Sequence, residues 1–163
     1  MMEGSNLYTY VYHNPVVLVD PSGLLAIYNS GNVFANCPGL AQVLSSLNNI
    51  LSNDKWWQAK CPNLTNVPDL KAVFDNPKTG LGYTTTTTAY IPLIGNVPFN
   101  AVTMSAANGV KMIAINSNFC KLTEQEKIKV LIAELTHVWQ LNNLPIYTKP
   151  YWEAQADKMA SCL

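Results

Sequence analysis

Hydrophobic positions recur at two spacings along this chain. Between Pro38 and Leu51, residues Leu40, Val43, Leu44, Leu47, Ile50 and Leu51 fall three and four apart, which puts them on one side of an α-helix. Ile128, Leu131, Ile132, Leu135 and Val138 or Trp139 repeat that spacing. A capping box, Thr123-x-x-Glu126, marks the start of this second helix, and its end is expected near Asn142-Asn143, before Pro145. A last helix is predicted through YWEAQADKMA, with Pro150 suited to its first turn. Residues 54–60, DKWWQAK, extend the first helix or form a short one of their own.

Alternation with period two marks the strands. NLYTYVYHNPVVLVDPSGLL alternates Tyr, Val and Leu with polar residues and breaks at Asp20-Pro21-Ser22-Gly23, a strand pair closed by a turn. Thr84 to Tyr90 is β-branched and reads as one strand with a wet and a dry face. Residues 96–119 give two short strands around Asn108-Gly109, a strong hairpin signal. Residues 67–82, dense in Pro, Asn, Asp and Gly, read as loop. The sum is an α+β chain with a small antiparallel or mixed sheet packed on the 124–143 helix and the C-terminal helix.

Composition narrows the function classes. The chain has 163 residues, 48% hydrophobic and 12% charged, enough apolar material for a core and too little charge for disorder. Ten basic residues balance ten acidic ones, and none of the basic residues is arginine. Phosphate recognition favours the guanidinium fork and a basic surface, so nucleic acid is not an expected partner. No apolar run reaches the roughly 18 residues of a membrane span, and MMEGSNLYTY lacks the basic-then-apolar order of a secretory signal. Cys37, Cys61, Cys120 and Cys162 contain no CxxC pair. They form two disulfides in an oxidising compartment or stay reduced as small buried hydrophobes.

The candidate chemistry lies in two helices. Glu134 and His137 stand three apart in LIAELTHVWQ. In the zinc signature His-Glu-x-x-His, two histidines at i and i+4 reach one metal while the intervening glutamate faces its bound water. Here Ala133 holds the first histidine's place. Catalytic zinc also needs a third protein ligand. The gluzincin peptidases take it from Glu-x-x-x-Asp on a later helix, whose aspartate steadies a ligand histidine; Glu153 to Asp157 supply that pattern. An acid and an imidazole at i,i+3 are by themselves an ordinary surface pair. The second motif turns them into a candidate site.

Two resemblances add to this reading. Asn6 to Val11, followed by Pro15, Asp20, Pro21, Gly23 and Leu24, resembles the end of the core of rearrangement-hotspot (Rhs, YD-repeat) proteins. That core is a β-shell that cuts its own chain by aspartyl-protease chemistry and is followed by a variable toxin. The resemblance implies a core tail at 1–24, a cut after Leu24, and a toxin domain at 25–163. Asp20 would be one of the two aspartates, and its partner is not in this sequence, so no self-cleavage is expected. Glu134 to Gln140 resembles the zinc-peptidase domains attached to Rhs-type proteins, which read His-Glu-Leu-Thr-His-Val-Trp-Gln; the departure is Ala133.

The implied protein is a zincin-like metallopeptidase toxin. His137 and Glu153 are implied as zinc ligands, Glu134 as the proton acceptor for zinc-bound water, and Asp157 as the group that orients the histidine absent at 133. Its implied partners are a protein substrate in a target cell, a cognate immunity protein and the Rhs shell before release. Delivery would use a type VI or related secretion system. With Ala133 the chain is expected to be nearly inactive, and zinc weak or absent. Either a histidine was replaced by design or the domain lost it naturally. His13 reads as a strand residue, and Trp139, Trp152, Tyr147 and Tyr151 as packing. Two rivals are a zincin-like domain that acts by binding protein without catalysis, and a nuclease toxin. The missing arginine and the missing His/Asn/Asp cluster oppose the latter.

Overall fold

The computed structural model describes residues 17–18, 26–28, 33–91, 93–106, 109–145 and 151–163. Asp20, Pro21, Gly23 and Leu24 of the cleavage motif lie outside them, as do His13, Tyr147 and Pro150. Seven strands are described: β1 (Val17–Leu18), β2 (Ala26–Tyr28), β3 (Thr79–Tyr83), β4 (Thr88–Ile91), β5 (Gly95–Pro98), β6 (Ala101–Ser105) and β7 (Lys111–Ile115). The helices are α1 (Val33–Asn36), α2 (Leu40–Leu51), α3 (Leu70–Phe74), α4 (Ser117–Cys120), α5 (Glu124–Asn143) and α6 (Trp152–Ala160). The α+β class and the small mixed sheet are as expected.

Five strands form one sheet in the order β1-β2-β3-β7-β6. The two inner pairings, β2 with β3 and β3 with β7, are parallel, and the outer ones are antiparallel. β3 is buried over most of its length and β7 over its second half, as parallel strands are when helices cover the sheet. Leu81, Ile113 and Ile115 are inaccessible and meet Leu40, Leu44 and Leu47 of α2 and Leu131, Ile132 and Leu135 of α5 in one core. α5 packs on β6 and β7 and against α2, α3 and α6, so its residues face most of the layers of the fold.

The end signals of α5 behave as the sequence predicts. The Thr123 hydroxyl accepts from the Glu126 backbone N–H at 3.3 Å, and the Glu126 carboxylate accepts from the Thr123 N–H at 2.8 Å. That satisfies two of the donors a helix start leaves free. α6 buries Trp152, Ala156 and Met159, four and three apart, and packs along α5.

The cysteines form two bridges, Cys37–Cys120 and Cys61–Cys162. The first joins the ends of the short helices α1 and α4. The second fastens the end of α6 to the turn region that follows α2. On chain-entropy grounds, loops of 83 and 101 residues are each worth up to about 4–5 kcal/mol when closed. Bridges of this kind persist in oxidising compartments.

Several local expectations give way. The segment read as loop at 67–82 contains α3 and β3, the central strand. Its two glycines look like turn residues, but burial over Thr79–Gly82 removes the alternation that would reveal a strand. Residues 54–60 are successive turns closed by bonds such as Gln58 N–H to Lys55 O at 3.0 Å. Of the threonine run, only Thr88 enters a strand. β6 and β7 pair antiparallel, with Ser105 opposite Lys111; Asn108 of the expected turn lies outside the described residues.

Candidate functional site

The site begins with α5 as a scaffold. Its core stripe fixes the rotation of the helix, and that rotation leaves Glu134 and His137 half-buried beside β6 and α6. Thr103 on β6 donates its hydroxyl to Glu134 Oε2 at 2.5 Å, with the Glu134 carbonyl 3.2 Å from the same hydroxyl. Burial pushes the Glu134 carboxyl above its ordinary value. The Glu153 charge adds to that rise, and the Thr103 hydrogen bond and the His137 charge oppose it.

His137 is oriented by donor bookkeeping. The Trp152 carbonyl can only accept, so the Gln140 Nε2 must point at it, 2.9 Å away. The same Nε2 donates to Gln155 Oε1 at 2.9 Å. That leaves Gln140 Oε1 facing His137 Nδ1 at 2.8 Å. An amide oxygen accepts only, so Nδ1 carries the hydrogen. His137 Nε2 then faces Glu153 Oε2 at 3.3 Å across the α5–α6 seam. A proton or another cation is what that gap accepts. The His137 side chain is 19% exposed and the Glu153 side chain 78%, so the pair contributes little to stability. Its meaning is positional.

Two of the residues singled out from the sequence therefore meet, His137 and Glu153, and Glu134 lies one turn before His137 on α5, where the charges of both act on its carboxyl. Asp157 lies one turn beyond Glu153 on α6, exposed, and its carboxylate has no partner among the described residues. Ala133 is half-buried, one turn before His137 on the same helix. Among the described residues no three His, Cys, Asp or Glu side chains form a metal-holding group. The donors at hand are one imidazole and neighbouring carboxylates. The Ala133 methyl offers no lone pair and adds no donor to them.

Sequence reasoning missed two parts of the site. Gln140 is wholly buried and sits at i+3 from His137, a spacing that brings side chains together on a helix; that was a readable signal. Thr103 lies on a distant strand, and nothing local to it announces the contact. No family model matches the chain, and no curated protein or solved structure matches it either.

Proposed function

We propose that residues 25–163 are a zincin-like metallopeptidase toxin held in an inactive form by Ala133. The chain would be a secreted effector released from an Rhs shell, acting on proteins of a target cell and neutralised by an immunity protein. The observation that carries this reading is the state of His137. Its Nδ1–H is tied to Gln140 while its Nε2 faces the Glu153 carboxylate, with Glu134 on the same stripe of α5. Metal-binding histidines are held in this way, the far ring nitrogen donating to a fixed acceptor.

On this reading the chain lacks the zinc ligand that a histidine at 133 would supply, and no catalytic step is assigned to it as it stands. What they do is hold two positions. Thr103 fixes the Glu134 carboxylate, and burial raises its proton affinity toward that of a useful base. Gln140 fixes the imidazole. The test is Ala133→His. The restored chain is expected to bind one zinc, to cleave protein and to become toxic when expressed in a susceptible cell. Glu134→Gln in that background keeps the metal and loses the cleavage. A restored chain that binds no zinc favours the rival, a domain that acts by protein binding alone.

A further inference from the structure

The β4–β5 hairpin forms a two-stranded sheet separate from the main one. Among the described residues no other element makes more than slight contact with it, and Thr88, Ala89 and Tyr90 are all exposed. Among the described residues its turn and the strand leading into it carry most of the exposed large hydrophobic side chains: Leu93 is 105% exposed, Ile94 72% and Tyr90 73%. Leu93 also holds φ at 71°. That left-handed conformation suits Gly or Asn and is strained for a branched aliphatic side chain. A strained, fully exposed leucine at a tip has no packing reason to be leucine.

We propose that this tip inserts into the interfacial layer of a lipid bilayer. No charged residue stands between Lys78 and Lys111, so no ion is desolvated when the hairpin enters the headgroup region. A convex tip of two aliphatics with a tyrosine behind it has the chemistry of that layer, the aliphatics among acyl chains and the phenol at headgroup depth. Pro98 on β5, paired with Thr88, removes a backbone donor and blunts the strand edge against pairing with a second copy. Two exposed aliphatics give weak, reversible attachment, comparable at most to a single acyl chain.

The test uses the whole unaltered chain with vesicles of phosphatidylcholine, read by co-sedimentation. Binding is expected, unchanged by added salt or by anionic lipid. Leu93→Asn with Ile94→Thr is expected to lower it about tenfold or more. The same pair leaves the thermal midpoint unchanged or raised, because asparagine tolerates the left-handed position. No binding, binding that survives the double substitution, or binding that needs anionic lipid and vanishes in salt overturns the proposal. So does lipid-free dimerisation that the double substitution abolishes.

Discussion

Two paired elements of this molecule treat their apolar residues in opposite ways. In the α5–α6 pair, Leu131, Leu135, Val138, Trp152 and Met159 are buried, and the polar residues between them meet one another. In the β4–β5 pair, the apolar residues at the turn face outward and the backbone is strained where the largest exposure lies. The first pair is stable because of the body it rests on. The second is short, and a two-stranded hairpin is marginal alone. A helix seam that buries its apolar side can hold a polar site rigidly; a hairpin that exposes its apolar side has surface left over for something else.

The largest expected effect concerns what fastens α6 to the body. Replacing Cys61 and Cys162 by alanine is expected to cost about 2–5 kcal/mol in denaturant unfolding. Amide exchange should rise first in α6, which carries Glu153, and less in α2. Equal loosening everywhere would mean that the bridge serves the whole fold and not the seam. Next comes the base of the hairpin. The Asn116 side chain is fully buried. It donates to the Thr86 and Phe99 carbonyls at 3.1 and 2.9 Å and accepts from the Asn118 and Phe119 N–H groups. Asn116→Ala leaves those groups unmatched and is expected to cost about 2–3 kcal/mol, with the hairpin amides exchanging faster.

Smaller effects sharpen the helix side. Thr123→Ala removes the cap of α5 and is expected to cost about 1 kcal/mol, seen as a lower midpoint in urea. The Glu134 carboxyl is raised in the folded protein, chiefly by burial. Folding is therefore favoured by this group below its unfolded value of about 4.5, and that share is lost as pH rises through the folded value. Glu134→Gln removes the dependence. The stability of the native chain relative to this variant is expected to fall across that window, measured by urea unfolding at a series of pH values. A flat difference would show that Glu134 is not desolvated.

Much of this was legible in the sequence. The stripes of α2 and α5, the Thr123–Glu126 box and the β6–β7 hairpin are local patterns, and local patterns survive folding when the core agrees with them. β3 was not legible because Gly80 and Gly82 lie in a strand buried over most of its length, where alternation disappears. The approach of His137 and Glu153 follows from motif spacing on two successive helices. Thr103 and Asn116 act through partners far along the chain or at main-chain atoms, and no spacing rule points to either. Gln140 lay within reach of the i,i+3 rule, and its place in the seam depends on the Trp152 carbonyl.

The most direct test of the central claim is zinc titration of Ala133→His by calorimetry beside Ala133→His with Glu153→Ala. The account predicts one zinc per chain in the first and an affinity lower by at least 10–100-fold in the second. Equal affinity in both, or no zinc in either, would contradict it.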